Sequence, residues 1–171
     1  HELVEEYGRT MLENAPVLGG IAIIENAYDD TYLIKGLSPE EIISEEPKLK
    51  EISYIHSDAY AAGELKHGTI SLVEDGTLVI ALATHQNLFD KMMSNVKEVK
   101  ARGAVVLGMT TENNTQIEQV TDHVFYIPQT CDVMLPSLTV IPLQLFAYYV
   151  ASMKGCDIDK PRNLAKSVTV E

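Results

Sequence analysis

Short apolar runs alternate with longer amphipathic stretches along most of the chain. Four of the runs are short and rich in β-branched residues, as strands covered on both faces of a parallel sheet should be. These predicted strands are residues 31–36, 77–84, 103–110 and 123–128. Between them, apolar positions recur every three or four residues, which is the helical period. The pattern predicts an α/β fold, in which βαβ units surround a parallel sheet.

The first part of the chain has a less regular pattern. Residues 2–14 have a helical pattern, and the apolar run at residues 21–25 favours one more strand. A proline and two adjacent glycines separate these two stretches. Residues 1–30 are therefore a lead segment that the pattern does not place in the sheet.

Two later helical stretches have clear signals. The first has Asn87 as its expected N-cap and Gly103 at its expected end. Its apolar positions share one face that would lie on the sheet: Leu88, Met92, Val96 and Val99. The second, residues 136–154, is apolar on nearly all sides, so we expect it to be buried on more than one side. We interpret it as a core helix that also forms a subunit interface, with a core role alone as the alternative.

Composition bounds the classes of function. The 171 residues are 46% hydrophobic, enough for one good core and too few for two complete domains. The 13 Lys and Arg residues face 25 Asp and Glu residues, for a net charge of -12, which argues against nucleic acid or an anionic membrane surface as partner. The last apolar helix is shorter than the roughly 20 uninterrupted residues of a membrane span. We therefore expect a soluble protein.

Several motifs are missing from the sequence. The histidines lack ligand spacing for a metal, and neither a GxSxG elbow nor a glycine-rich phosphate loop follows any predicted strand. We expect no metal and no cofactor. The two cysteines form no motif and no signal peptide precedes them, which favours a reduced cytoplasmic setting. The chain starts with His1 rather than methionine, and we expect a missing N-terminal portion.

The carboxyl-terminal stretch "PRNLAKSVTVE" places one lysine, Lys166, among uncharged neighbours. Leu164, Val168 and Val170 indicate that this tail docks on the protein. A desolvated lysine has a lowered pKa and can act as a neutral amine nucleophile. A tail that only covers part of the core is the alternative.

A second candidate region follows Pro47. Lys48 and Glu51 are three residues apart, so they share one face if this stretch is a helix, although a surface ion pair is the ordinary interpretation of such a pair. Pro47 inside that helix costs on the order of 3 kcal/mol unless the helix begins there. His67 precedes Gly68, which is typical of a helix end, and a capping histidine is the ordinary interpretation.

Three long stretches resemble one known family. "LKEISYIHSDAYAAGELKHG", "TVIPLQLFAYYVASMKG" and "DKPRNLAKSVTVE" closely resemble the C-terminal part of the glucosamine-6-phosphate synthases, the glutamine:fructose-6-phosphate amidotransferases. The resemblance covers residues 31–154, as the second sugar isomerase (SIS) domain of that family, and residues 155–171, as its C-terminal tail. It implies a three-layer αβα fold with a five-stranded parallel, flavodoxin-like sheet.

The resemblance implies a role for each candidate residue. Lys166 would form a Schiff base with the open-chain ketose phosphate, and Glu51 would be the base that moves a proton between C1 and C2. His67 would assist opening of the sugar ring and would reach the site from the neighbouring subunit of a homodimer. Lys48 would lie near the substrate, and Ala165 would contact it.

The family's activity is conversion of fructose 6-phosphate and glutamine to glucosamine 6-phosphate and glutamate. The glutaminase domain and the first SIS domain, whose loop holds the sugar phosphate, do not occur in this sequence. We therefore expect this chain alone to be inactive or nearly so. The alternatives are a sugar-phosphate-binding or dimerisation module without catalysis, and a stand-alone ketose-phosphate isomerase that needs no amide donor.

Overall fold

A computed structural model of the chain describes residues 21–25 and 45–162. The described residues contain one parallel sheet of five strands in the order β2-β1-β3-β4-β5. The strands are β1 (Ile21–Glu25), β2 (Ser57–Ala61), β3 (Leu78–Ala83), β4 (Val105–Thr111) and β5 (His123–Ile127). The α-helices are α1 (Glu45–Ser53), α2 (Phe89–Lys100) and α3 (Leu135–Met153). Short 3-10 helices occupy Glu64–His67, Thr69–Leu72, Gln86–Leu88 and Thr115–Gln119.

The central strand β3 separates two hydrophobic cores. All six of its residues are buried, and alternate side chains point to opposite faces of the sheet. Ile80 lies in one core with Leu49 of α1 and Phe146 of α3. Val79 lies in the other core with Met92 of α2. Helices therefore cover both faces of the sheet, which explains why its central strands are continuous apolar runs.

The structure confirms most of the predicted strands. Strands β3, β4 and β5 fall within one or two residues of the predictions at 77–84, 103–110 and 123–128, and residues 21–25 form β1. The α/β class with a parallel sheet is therefore confirmed. The predicted strand at residues 31–36 lies outside the described residues.

Strand β2 is not predicted by the sequence pattern. Its sequence, "SDAYA", is poor in β-branched residues, and only Ser57 of the strand is buried. The strand lies at an edge of the sheet, so its side chains are half-buried and produce no continuous apolar run. Helix α1 ends at Ser53, four residues before β2 begins.

The predicted N-cap of α2 is wrong. Asn87 lies within the 3-10 turn Gln86–Leu88, and α2 begins only at Phe89. The helix therefore begins one residue later than a cap at Asn87 would place it, and Leu88 occupies the N-cap position. The apolar face is otherwise as predicted, since Met92, Val96 and Val99 are buried.

Helix α3 has a buried side and an exposed apolar side. By length and composition alone it could cross a membrane, with 19 residues and a mean hydropathy of 1.3, so the argument that it is too short was wrong. Half of it is nevertheless buried inside the protein, as in a core helix. The exposed apolar residues follow the helical period and form what we name the α3 stripe: Met134, Ile141, Leu145 and Tyr148.

Candidate functional site

Helix α1 carries two of the predicted site residues. Leu49 is buried against the sheet and α3, and the buried Ser53 hydroxyl donates a hydrogen bond of 2.6 Å to the Leu49 carbonyl oxygen. Glu51, between them, is exposed. Lys48 belongs to the same helix, three residues before Glu51.

Pro47 does not break this helix. Helix α1 begins at Glu45, so Pro47 falls in its first turn. The backbone N–H groups of a first helical turn have no intrahelical partner, and a proline there removes no hydrogen bond. The cost expected for an interior proline therefore does not arise.

The chain returns to the end of α1 after helix α3. The Lys154 ammonium donates a hydrogen bond of 2.7 Å to the carbonyl oxygen of Ser53, and the Cys156 thiol lies 4.0 Å from the same oxygen. Farther on, the backbone N–H of Arg162 donates a hydrogen bond of 2.9 Å to the hydroxyl of Tyr54. The segment that leads to the C-terminal tail is thus held at the carboxyl end of the helix that carries Glu51.

Lys166 and Ala165 lie outside the described residues. Lys166 is four positions beyond Arg162, and four residues span at most about 14 Å when fully extended. Tyr54, which Arg162 contacts, follows Glu51 by three positions, about one helical turn. The described residues end, at Arg162, beside the carboxyl end of α1.

His67 occupies a different element. It is the last residue of the 3-10 helix Glu64–His67 and is exposed. Gly68 follows with a φ of 143°, a backbone conformation that favours glycine, which confirms the prediction of a helix-ending glycine. Within the described residues no ion pair or hydrogen bond joins the His67 side chain to Glu51. Glu51 and His67 thus lie on two different elements of the described chain.

The start of β2 carries a charged cluster that the sequence analysis did not find. Asp58 lies 3.1 Å from the Lys50 ammonium and 3.1 Å from Nε2 of His56, and it accepts a hydrogen bond of 3.0 Å from the Tyr60 hydroxyl. Burial acts to raise the pKa of Asp58, but the hydrogen bonds from Lys50 and Tyr60 and the nearby positive charges outweigh it and leave this pKa below its ordinary value. Because Lys50 is on α1, the cluster ties this helix to the edge strand.

A second group of polar residues lies at the carboxyl edge of the sheet. The Thr110 hydroxyl donates to the Ala83 carbonyl oxygen at 2.8 Å, and the Asn114 amide donates to the hydroxyls of Thr110 and Thr111 at 3.3 and 2.9 Å. These three polar residues are buried. Their hydrogen bonds join the ends of β3 and β4, the edge at which parallel α/β sheets bind ligands. The run of apolar residues in both strands hides these positions from pattern analysis.

The described residues show no grouping suited to a metal. Within residues 21–25 and 45–162, no three His, Cys, Asp or Glu side chains are arranged to hold an ion. Cys131 is exposed, Cys156 is half-buried, and both are free thiols. The chemistry that the described residues offer is that of an exposed carboxylate, Glu51, near the point where Arg162 meets the end of the same helix.

Comparison with known proteins identifies the family. The profile of the SIS domain family matches residues 46–154. The chain belongs to this family. The SIS match includes all of α1 except its first residue, and it ends at Lys154, the residue that contacts Ser53.

Individual relatives agree with the resemblance noted in the sequence. The chain is 57% identical over 162 residues to the isomerizing glutamine–fructose-6-phosphate aminotransferase of Caldanaerobacter subterraneus subsp. tengcongensis, and covers 27% of that protein with 94% of its own length. It is 57% identical over 143 residues to the enzyme of the same name from Clostridium acetobutylicum, and this match covers 84% of the chain and 24% of that enzyme. The chain therefore spans about a quarter of the length of these relatives.

A solved structure shows the same arrangement. The C-terminal domain of glucosamine-fructose-6-phosphate aminotransferase from Francisella tularensis superimposes with a TM-score of 0.74 at 30% identity. The match covers 92% of this chain and 41% of that structure. The resemblance of this SIS domain to the C-terminal domain of these aminotransferases is confirmed.

Proposed function

We propose that this chain is the C-terminal isomerase part of a cytoplasmic glutamine–fructose-6-phosphate aminotransferase. The intact enzyme would convert fructose 6-phosphate and glutamine to glucosamine 6-phosphate and glutamate. The observation that carries the proposal is the contact between Arg162 and Tyr54, which brings the approach to Lys166 to the end of the helix that bears Glu51. The high identity to aminotransferases supports the same assignment.

The proposed chemistry divides between the tail and α1. The neutral amine of Lys166 adds to the C2 carbonyl of the open-chain ketose, and water leaves to form the Schiff base. Ammonia from glutamine then adds to C2 of this imine and the Lys166 amine leaves, so that the imine nitrogen is now that of ammonia; Glu51 next removes a proton from C1 and returns a proton to C2, which gives glucosamine 6-phosphate. A carboxylate that is exposed before substrate binds, as Glu51 is, can reach a sugar that enters beside it.

Three further residues have proposed supporting roles. Lys48, three residues before Glu51 on α1, would lie near the bound sugar phosphate, and Ala165 would contact the substrate next to the reacting lysine. His67 would assist ring opening from the neighbouring subunit of a homodimer. Its position on a separate, exposed 3-10 helix is compatible with service to a second protomer.

The strand order indicates where a sheet of this type ordinarily binds its ligands. The described strands run β2-β1-β3-β4-β5, the order of flavodoxin-like, doubly wound sheets. In such sheets β2 lies on one side of β1, and the later strands β3 to β5 lie on the other side. Ligands bind outside the carboxyl ends of the strands, at the boundary between β1 and β3 where the strand order reverses. Because α1 ends at Ser53 and β2 starts at Ser57, Glu51 lies toward the opposite edge of the sheet, and we place the sugar there, beside the carboxyl end of α1.

Reduction with borohydride tests the proposal. The 171-residue chain is incubated with fructose 6-phosphate, reduced, digested and analysed by peptide mass. We expect a hexose phosphate adduct on Lys166, none on the exposed Lys160, and loss of the adduct in Lys166→Arg. With ammonia supplied, we expect little or no glucosamine 6-phosphate, because the phosphate loop of the first SIS domain is not in this chain. An unlabelled Lys166 would contradict the catalytic proposal, and rapid product formation would contradict the predicted inactivity.

The α3 stripe favours one alternative function. Ile141 and Tyr148 are 51% and 48% exposed, and a helix rarely presents such a row of apolar side chains to water without a partner. In this alternative the chain is a dimerisation or sugar-phosphate-binding module without catalysis. Light scattering after gel filtration tests whether the stripe forms a dimer interface: Ile141→Glu should produce monomers, whereas the control Gln144→Glu, at an exposed polar position of α3, should not. A stable dimer with an unlabelled Lys166 would favour the module.

A further inference from the structure

Tyr54 has an unusual backbone conformation. It follows the last residue of α1 with a φ of 57°, and within the described residues it is the one non-glycine residue with a positive φ. Its N–H donates a hydrogen bond of 3.0 Å to the Lys50 carbonyl oxygen, so it ends the helix in the left-handed manner that usually takes glycine. A tyrosine in this conformation is strained relative to glycine. Strain of this kind indicates that the side chain has a use at this position.

The Tyr54 side chain makes two contacts with one distant residue. Its hydroxyl accepts the hydrogen bond of 2.9 Å from the Arg162 backbone N–H. The guanidinium carbon of Arg162 also lies 4.8 Å from the centre of the Tyr54 ring, which is cation–π distance. The two residues are 108 positions apart, so the contact joins the end of α1 to the start of the C-terminal tail.

We propose that Tyr54 is a positioning residue that anchors Arg162, and with it the approach to Lys166, at the end of the helix that carries Glu51. The anchor itself rests on the two contacts between Tyr54 and Arg162. Its effect on the reaction of Lys166 rests on the proposed function. A lysine on a tail with many conformations would spend little time near the carbonyl that it attacks. An anchor four residues before it shortens the free segment and restricts those conformations. Glycine would end α1 with less strain, but it would provide neither the hydroxyl nor the ring.

Two variants separate positioning from stability. Tyr54→Phe keeps the ring and removes the acceptor for the Arg162 N–H. Tyr54→Gly removes both contacts while it relieves the backbone strain, so its melting temperature should equal or exceed that of the wild type. Tyr126→Phe, which removes the hydroxyl hydrogen bond from β5 to Glu118, is the matched control.

Amide hydrogen exchange and borohydride trapping provide the readouts on the full 171-residue chain. In Tyr54→Phe we expect exchange of the Arg162 amide to accelerate roughly 5-fold, as for loss of one ordinary hydrogen bond. We expect the rate of fructose 6-phosphate trapping on Lys166 to fall in Tyr54→Phe and to fall further in Tyr54→Gly. Tyr126→Phe should change neither rate.

The outcomes distinguish this inference from the proposed function. If the Arg162 amide exchanges equally in wild type and both Tyr54 variants, the anchor does not exist and the inference is wrong. If exchange accelerates but trapping on Lys166 is unchanged, the contact is structural and the positioning role is wrong. If the wild type itself gives no adduct on Lys166, the proposed function is wrong. Faster exchange of the Arg162 amide in the variants would then still show the anchor, but the anchor would position no reacting lysine.

Discussion

The Lys154 ammonium lies 2.7 Å from the carbonyl oxygen of Ser53, 101 positions earlier in the chain. Ser53 is the last residue of α1, and the carbonyl groups at a helix carboxyl terminus have no intrahelical partner. These groups also carry the negative end of the helix dipole, which a lysine ammonium stabilises. The end of α3 thus caps the helix that carries Glu51, and the two helices pack together on one face of the sheet.

Lys154→Met should lower the free energy of unfolding by about 1 kcal/mol, because it removes both the hydrogen bond and the charge at the α1 terminus. Lys91→Met is the matched control, since Lys91 is an exposed lysine on α2, and its effect should stay within about 0.5 kcal/mol. Urea unfolding followed by circular dichroism measures both values. Equal effects of the two substitutions would show that the Lys154 contact adds no stability.

Gly103→Ala should be among the most destabilising substitutions of a glycine in this chain. Gly103 has a φ of 89°, and a Cβ built on it would lie 2.9 Å from the Cα of Asp75, a backbone atom that cannot easily move. Strain and overlap together should cost about 2–3 kcal/mol. Gly63→Ala is the matched control, because Gly63 has a φ of -65° and open space around it. Thermal unfolding should separate the two variants by several degrees, and similar melting temperatures would contradict the prediction.

Asp122 should contribute to stability in a pH-dependent way. Its carboxylate lies 2.6 and 2.7 Å from the Lys100 ammonium and accepts a hydrogen bond of 2.7 Å from the Val106 N–H. Burial acts to raise its pKa, but these hydrogen bonds and the charges of Lys100 and His123 outweigh it and lower the pKa below its ordinary value. A carboxyl group with a depressed folded-state pKa stabilises the fold above its unfolded pKa, and this contribution is lost as the pH falls through the folded pKa.

Asp122→Asn should therefore cost stability mainly above about pH 5, and the difference from wild type should shrink toward about pH 3. The cost at neutral pH should be only about 1 kcal/mol, because the side chain is about one third exposed and water screens the pair. Urea unfolding across this pH range measures the difference, with Glu112→Gln, at an exposed position, as the control. A difference that is constant with pH would show that ionisation of Asp122 plays no part.

The sequence predicts those parts of the fold that are buried on both sides. Strand β3 is predictable because all six residues are apolar and buried, whereas the edge strand β2 shows no such run. The shared face of Lys48 and Glu51 is likewise local, since it follows from the helical period. The contact between Tyr54 and Arg162 has no local signal, because it joins residues 108 positions apart whose types are ordinary in turns and tails. The spacing of apolar residues shows which positions are buried, whereas a contact such as that between Tyr54 and Arg162 depends on the tertiary fold.

Glu51→Gln should separate binding of the sugar from transfer of its proton. Glutamine has nearly the same shape but is not basic, so Schiff-base formation on Lys166 should persist while the shift of a proton from C1 to C2 stops. The effect is best measured in a chimera in which this chain replaces the C-terminal quarter of the Caldanaerobacter aminotransferase, to which it is 57% identical. In deuterated water, exchange at C1 of fructose 6-phosphate should fall by about 10²-fold or more, whereas borohydride trapping on Lys166 should change by less than about 3-fold. Glu64→Gln is the control at another exposed glutamate and should alter neither rate. If exchange at C1 survives in Glu51→Gln, a different group moves the proton, and the role of α1 is limited to support of the tail.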